Sequence, residues 1–550
     1  MNGITMTLSK STLLIGALII AYLLPIWLFP YFPTQDGVSH VYNAQILTEY
    51  RNPDYQFRAY YEINAYPFPN WLSHFALAML MFVFPPLIAE KIFLSLYVIL
   101  FPLAMHYFLN AVQPEQNASG RRALQARPSL VILSFTFIYN YLLLMGFYNF
   151  AVSVPLFFLT LGYWYRHRDT INVKRAALLN LLIVITYFAH LISYAFILFS
   201  IALLSLLHFR RDFPQIFRTG LSILPAALLL LVYLPTSDLL AGEPPEFGLS
   251  RVGELLDNLL GLKFLIAFNQ AQALIAYAVA AMLIFLAAST IWQNRRTSPG
   301  SVERGVVPRH ATLSEDFHGT QARARDRPSR YRDSPRAFLI LFAILFALYL
   351  ILPNSVGPGG WVNDRLAILA TLTLFAWFRV SHKPPWRQVF TGTVTLLAVI
   401  NLLYIGVLCK NLNAELREFN AFVHKIEKNK VILPLHFEPK GSSLKVGIFV
   451  NAANYYCLDN GCINLGNYEV QFDYFPIRFK PHFETPVQEK EWVQIIHWQP
   501  EELDLCEYAD NVDYLLLWGT PDEPTVATAI EACYTLIAAQ GKLKLFRGQR

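Results

Sequence analysis

The chain has 550 residues, of which 55% are hydrophobic and only 15% are charged, and its mean hydropathy is +0.37. A soluble protein of this length needs far more polar surface, so an ordinary soluble fold is excluded. Repeated long apolar runs instead predict a polytopic α-helical membrane protein.

Basic residues are concentrated in a few polar segments between the apolar runs. Lys10 and the segments 112–128, 166–176, 208–218, 294–336 and 379–388 together hold 24 basic and 8 acidic residues. The rest of the chain holds 20 basic and 30 acidic residues. Because cytoplasmic loops carry an excess of Lys and Arg, these segments are predicted to lie inside. The net charge of +6 is therefore an orientation signal and does not predict nucleic-acid binding.

About eleven transmembrane helices satisfy this orientation, with the N-terminus in the cytoplasm and the C-terminus outside. The predicted spans are 12–30, 88–110, 129–145, 150–165, 177–189, 191–207, 219–235, 273–293, 337–352, 365–378 and 389–409. They form a predicted membrane domain over residues 1–409, in which 294–336 is a basic cytoplasmic loop.

The first external loop, 31–87, is rich in aromatic residues, which favour the lipid headgroup layer. It contains an apolar stretch from Trp71 to Phe84, and a helix of this length reaches only about 21 Å, less than the ~30 Å of a bilayer core. We therefore predict an interfacial helix at 71–84. An ordinary membrane-spanning hairpin over 71–110 remains the alternative.

Asp36 and His40 follow the first span directly, within the sequence YFPTQDGVSH of residues 31–40. If the chain becomes helical after Gly37, their spacing of four residues places both side chains on one face. A carboxylate at the boundary of water and lipid can act as a general base, and partial burial would raise its pKa towards a useful range. His40 could orient that carboxylate, bind a phosphate or contribute to a metal site. The alternative is a solvated loop acid with a neighbouring histidine.

Further polar residues lie in the other predicted external loops. Tyr148 and Asn149 belong to the short second loop, where Asn149 could bind a sugar or phosphate or could cap the next helix. His190 lies at a turn between two spans and is either a substrate contact or a hydrogen-bonded structural histidine. Arg58 in the first loop is an additional phosphate-binding candidate.

The glycine-rich loop at 353–365 forms a second group of candidates. Its glycines allow backbone N–H groups to approach an anion closely. Arg365 at its end could bind an anionic phosphate group through two hydrogen bonds, and Trp361 and Asn363 are candidate ligand contacts beside it. The alternative is a flexible turn whose Arg reaches the lipid headgroups.

Residues 410–550 are less apolar and are predicted to form an external soluble α/β domain. Strands are predicted at 445–450, 468–474 and 514–518, and helices at 411–429 and 524–540. Four cysteines lie here, Cys457, Cys462, Cys506 and Cys533. Cys457 and Cys462 are a candidate disulfide by proximity, although three pairings of the four, or free buried thiols, remain open.

The layout resembles the GT-C superfamily of integral-membrane glycosyltransferases. The similarity rests on a first transmembrane helix followed at once by an Asp-bearing loop, Thr34-Gln35-Asp36-Gly37-x-x-His40, on many further spans and on a C-terminal external domain. The resemblance implies a polyprenyl-phosphate-linked sugar donor and a catalytic role for Asp36. Many members carry a second acid in the second external loop, whereas this chain has only Gly146-Phe147-Tyr148-Asn149 there. A metal held by two acids is therefore not favoured: we assign no residue to a metal site and predict no certain cofactor, with a divalent cation as the less favoured alternative.

The predicted function is sugar transfer to a lipid, glycan or protein acceptor at the external face of a cell inner membrane. Asp36 would deprotonate the acceptor, and Arg365, with Arg58, would bind the donor phosphate. The only N-x-[ST] sequon, Asn117-Ala118-Ser119, lies in a predicted cytoplasmic loop, which favours a bacterial inner membrane over a secretory membrane. The alternatives are a lipid or glycan transporter or flippase, and a non-catalytic assembly protein that acts through its external domain.

Overall fold

The computed structural model describes residues 9–113, 115–116, 122–123, 128–233, 249–296, 334–355, 359–380, 384–480, 496, 498–521 and 524–549. Most of the predicted basic loop 294–336 and the sequon at Asn117 lie outside the described residues. Up to residue 419 the described chain is mainly helical. Its helices are α1 (Lys10–Trp27), α2 (Gly37–Glu49), α3 (Phe57–Tyr60), α4 (Leu72–Met81), α5 (Pro86–Val112), α6 (Pro128–Ser134), α7 (Tyr141–Leu144), α8 (Tyr148–His167), α9 (Val173–Ala189), α10 (Leu191–Phe209), α11 (Phe213–Ala227), α12 (Leu229–Tyr233), α13 (Leu249–Leu260), α14 (Gln272–Arg296), α15 (Ser334–Ile351), α16 (Val362–Leu374) and α17 (Pro384–Phe419).

Each of the eleven predicted spans coincides with helical structure. Most match one long helix, whereas 129–145 is covered mainly by α6 and α7 and 219–235 by α11 and α12. Within the described residues, six helical segments are long and apolar enough to cross a membrane: Lys10–Trp27, Pro86–Val112, Leu191–Phe209, Phe213–Tyr233, Gln272–Arg295 and Pro385–Lys425. Large apolar side chains such as Ile20 and Leu403 are exposed on these helices, which suits contact with lipid. The chain therefore has the helices of a multi-pass membrane protein.

The apolar stretch 71–84 forms the short helix α4. Its 10 residues correspond to a length of about 15 Å, too short to cross a bilayer core. Phe75 and Met79 on its surface are more than half exposed. A short apolar helix at this position is the structure that an interfacial segment requires. The helix α2 begins at Gly37, so the chain is helical after Gly37 as expected.

A five-stranded mixed sheet forms the centre of the C-terminal region. From one edge to the other the strands are β5 (Ile463–Asn464), β4 (Val431–His436), β7 (Tyr514–Trp518), β9 (Leu543–Gly548) and β8 (Tyr534–Gln540). Strand β4 runs parallel to its neighbours β5 and β7, and β9 runs antiparallel to its neighbours β7 and β8. The strands and helices of this region are β4 (Val431–His436), α18 (Asn454–Asn460), β5 (Ile463–Asn464), β6 (Ile477–Phe479), β7 (Tyr514–Trp518), α19 (Pro524–Cys533), β8 (Tyr534–Gln540) and β9 (Leu543–Gly548). The predicted combination of helices and strands is therefore present.

Several predicted elements of this region are wrong in detail. The strand expected at 445–450 is a series of turns, because Leu444 and Lys445 donate their backbone N–H groups to the carbonyls of Phe268 and Ala267. The strand expected at 468–474 begins with a 3-10 turn. The helix expected at 524–540 ends at Cys533 and continues as the edge strand β8. Tertiary pairing overrides local propensity in these places.

Two disulfides join the four cysteines of the C-terminal region. Cys457 is bonded to Cys462, the pair predicted from proximity, and Cys506 to Cys533. The fifth cysteine, Cys409, is a buried free thiol in α17.

The C-terminal region packs directly on the first external loop. Strand β1 (Tyr61–Ile63) of that loop pairs antiparallel with β6. Buried amides also join α2 to the C-terminal region: Asn43 and Asn467 exchange two hydrogen bonds, and Asn454 donates to Ser39. The predicted domain limit at 409 lies inside the continuous helix α17. The loop after α1 is thus enclosed by both parts of the chain.

Candidate functional site

A cavity of about 630 Å³ lies between the first external loop, the starts of α8, α10 and α16, and the C-terminal region. Six of the nine predicted site residues line it, namely Asp36, His40, Asn149, His190, Trp361 and Arg365. These residues are far apart in the sequence, and the fold brings them to one enclosed space.

The backbone around Asp36 is fixed against the loop before α8. The N–H groups of Gln35 and Asp36 donate to the carbonyls of Leu144 and Met145, at 3.2 and 3.0 Å. Gly146 adopts a φ of +87°, and a Cβ atom there would lie 2.6 Å from the Asp36 nitrogen. Only glycine combines this backbone conformation with so close an approach. The second external loop therefore positions the acid, although it contributes no carboxylate.

The Asp36 carboxyl is buried, with 6% of the residue exposed. Its Oδ1 atom accepts hydrogen bonds from Gln35 Nε2 at 3.2 Å and from Asn451 Nδ2 at 2.9 Å. Gln35 is held in turn by the backbone N–H of Gly447, 3.0 Å from its Oε1. Burial, with a smaller contribution from the nearby charge of Glu469, raises the pKa of Asp36 to about 8. A group that titrates near neutral pH is well matched to proton transfer.

Arg365 places a buried guanidinium at the wall of the same cavity. Its Nη1 donates to the carbonyl of Gly360 at 2.7 Å, and the guanidinium lies over the rings of Phe147 and Phe150. Its Nε–H is buried and has no hydrogen-bond partner within the described residues. None of the described carboxylates forms an ion pair with it within 4.0 Å. A buried guanidinium with an unpaired N–H and no carboxylate beside it can bind an anion by donating a hydrogen bond to it.

His40 lies in a buried cluster with His74 and Glu469. His40 Nδ1 is 2.8 Å from Glu469 Oε1, and His74 Nε2 is 2.6 Å from Oε2 of the same carboxylate. The two imidazole nitrogens are 3.1 Å apart. Burial raises the pKa of Glu469, but His74 and His40 outweigh it and lower that pKa to about 2, whereas burial lowers the pKa of His40.

Asn149 and His190 both stabilise the cavity wall while lining it. Asn149 Oδ1 accepts from the Ser73 N–H at 2.8 Å, and its Nδ2 donates to the Asn70 carbonyl at 2.7 Å, so it caps α4 rather than its own helix α8. His190 Nδ1 accepts from the Ile192 N–H and caps α10. Burial lowers the pKa of His190, and the charge of Arg365 adds to this effect. His190 is therefore neutral.

No protein-family model matches the chain, and no curated protein matches it.

Three predicted residues are placed elsewhere. Arg58 is exposed on α3 and does not line the cavity, so the structure does not bring it to Asp36. Tyr148 lies behind the wall, where its hydroxyl donates to Glu90 at 2.6 Å. Asn363 donates to the carbonyls of Tyr349 and Leu352 and so joins α16 to the end of α15. Tyr148 and Asn363 stabilise the surroundings of the site in this arrangement.

The sequence analysis missed Gln35, His74, Asn451 and Glu469, which surround Asp36 and His40. The last two come from the C-terminal region, more than 400 residues away along the chain. A signal was present, since five asparagines lie between residues 451 and 467. Such a density of amides in an otherwise apolar segment indicates a buried polar network.

Proposed function

We propose that this protein transfers a sugar from a polyprenyl-phosphate donor to an acceptor hydroxyl at the external face of a membrane, as the resemblance to GT-C glycosyltransferases implies. Asp36 takes the proton of the acceptor hydroxyl while the acceptor oxygen attacks the anomeric carbon. The bond between that carbon and the phosphate oxygen breaks, and polyprenyl phosphate leaves. Arg365 holds the donor phosphate and stabilises the negative charge that develops on it.

One observation carries this proposal: Asp36 and Arg365 line the same cavity. A volume of about 630 Å³ lies within the range of small-molecule sites and accommodates a sugar phosphate. The buried carboxyl titrates near pH 8 and the buried guanidinium retains an unpaired N–H, so the site offers a base and an anion partner together. Trp361 supplies an aromatic wall on which a sugar ring can stack.

We further propose that eleven helices cross the membrane, with the N-terminus in the cytoplasm and the C-terminal region outside a bacterial inner membrane. Helical structure at all eleven positions and the excess of Lys and Arg in the predicted cytoplasmic loops support this topology. The two disulfides support an oxidising external location for the C-terminal region.

The activity is tested with purified protein in proteoliposomes and a panel of polyprenyl-phosphate-linked hexoses and pentoses. We expect one donor to release polyprenyl phosphate when a cell-envelope fraction supplies the acceptor. Thin-layer chromatography of the labelled lipid measures this release without knowledge of the acceptor. A folded protein that releases no polyprenyl phosphate from any donor of the panel contradicts the proposal, and sealed-vesicle transport of the donor without cleavage would favour a flippase.

The topology is tested with alkaline phosphatase fused after Lys430, at the start of β4. Because this enzyme is active only outside the cytoplasm, we expect the fusion to be active. A second fusion after Arg211, in a predicted cytoplasmic loop, is the control and is expected to be inactive. An expressed but inactive fusion at Lys430 would overturn the count of eleven spans.

A further inference from the structure

The His40–His74–Glu469 cluster brings two imidazole nitrogens and a carboxylate together in the buried interior. His74 Nδ1 lies 3.2 Å from the carbonyl of Asn70, a contact that requires a proton on Nδ1. The other ring nitrogen of His74, Nε2, lies 2.6 Å from Glu469 Oε2. Two acceptors at this distance repel each other unless a proton or a cation lies between them.

His40 presents Nδ1 to the same carboxylate and to His74 Nε2, which is 3.1 Å away. Although Nδ1 is 2.8 Å from Glu469 Oε1, that oxygen accepts no hydrogen bond of adequate geometry from the described residues. The carboxylate is fully buried, so an unpaired oxygen is costly unless another positive group binds it.

We infer that His40, His74 and Glu469 bind a divalent transition-metal ion of the Zn²⁺ type at the wall of the cavity. Two histidines and one carboxylate are a ligand set that binds Zn²⁺ and leaves a position open. His40 Nδ1 lies 2.8 Å from Glu469 Oε1, His74 Nε2 lies 2.6 Å from Glu469 Oε2, and the two nitrogens are 3.1 Å apart. Ligands of a tetrahedral zinc ion lie about 3.3 Å apart, so shifts of a few tenths of an ångström admit the ion.

The surroundings of the ligands match those of bound metals. Metal-binding histidines usually donate their second ring N–H to a carbonyl or carboxylate, as His74 does to Asn70. Asn149 Nδ2 donates to that same carbonyl at 2.7 Å and so fixes its position. The ring of Phe475 packs on both imidazoles and restricts access by water. Among the three ligands, His40 also lines the cavity.

This site differs from a metal held by two loop acids, which the sequence analysis did not favour. Its carboxylate comes from the C-terminal region, so a bound ion would also join that region to α2 and α4. The inference does not depend on sugar transfer, because metal binding is measured without donor or acceptor.

The test is the metal content of purified full-length protein after incubation with ZnCl₂ and dialysis against metal-free buffer. We expect about one zinc per chain in the wild type and less than a tenth of that in Glu469→Gln and His74→Gln. The matched controls Glu501→Gln and His424→Gln change exposed residues and should retain the ion. Asn149→Ala should weaken Zn²⁺ binding by about 10- to 100-fold without abolishing it.

Thermal unfolding keeps the inference testable if the variants fail to fold. Zn²⁺ should raise the Tm of the wild type and a chelator should reverse this shift, and bound Co²⁺ should show visible d–d absorption. The inference is overturned if the folded wild type retains no metal, shows no Tm shift with Zn²⁺ and has no Co²⁺ absorption. In that case a proton, and not a metal ion, bridges the histidines and Glu469. Equal zinc content in the wild type and Glu469→Gln would overturn it as well.

Discussion

Replacement of Asp36 by Asn should lower the rate of sugar transfer, kcat, by about 10²- to 10⁴-fold, the contribution of a positioned general base. Asn retains the size of the side chain and its Oδ1, which accepts from Gln35 and Asn451. Because burial raises the pKa of Asp36 to about 8, the wild-type carboxyl is mostly neutral at pH 7. The neutral amide should therefore be accommodated in the fold, and the KM for the donor should change little.

The measurement is the release of polyprenyl phosphate by the reconstituted variants. Asp54→Asn is the matched control, since Asp54 lies in the same loop but is exposed. We expect wild-type rates for the control and an unchanged Tm for Asp36→Asn. A folded Asp36→Asn protein with undiminished transfer would exclude the role as general base, whichever metal the protein binds.

The sequence was sufficient to predict the helices and six of the residues that line the cavity. Apolar runs locate helices directly, because each run satisfies its own backbone hydrogen bonds and needs no distant partner. Asp36 and Arg365 could be selected because each is an ionisable residue at the predicted external end of an apolar run, where a charged group can meet a substrate. Six of the predicted site residues accordingly line one cavity.

The surroundings of Asp36 could not be predicted in the same way. Asn451, Gly447 and Glu469 approach Asp36 and His40 through tertiary packing of the C-terminal region. The segment 445–450 has the β-branched and aromatic residues of a strand, yet it forms turns, and its Lys445 N–H donates to the carbonyl of Ala267. Sequence pattern reports local periodicity, whereas these contacts depend on which distant segments meet. The role of Gly146 was also hidden, since the need for a glycine arises only from its contact with the Asp36 backbone.

Replacement of Arg365 by Gln should reduce kcat/KM for the lipid-linked donor by at least about 100-fold, corresponding to about 2.7 kcal/mol of lost transition-state stabilisation. Arg365 is the Arg or Lys residue among the described residues that line the cavity, and its Nε–H has no hydrogen-bond partner among them. Gln provides one amide donor group without charge, so it cannot neutralise a phosphate. Lys restores the charge but not the paired donors of a guanidinium, and Arg365→Lys should recover only part of the activity.

The loss must be separated from a loss of stability, because Arg365 Nη1 also donates to the Gly360 carbonyl. Arg387→Gln is the control, since Arg387 is exposed on α17. The Tm of each variant measures the structural effect, and the donor dependence of the rate measures the functional one. If Arg365 binds the donor phosphate, free polyprenyl phosphate should inhibit the wild type more strongly than Arg365→Lys. If polyprenyl phosphate inhibits the wild type and an equally stable Arg365→Lys protein to the same extent, Arg365 does not bind the donor phosphate and has a structural role only.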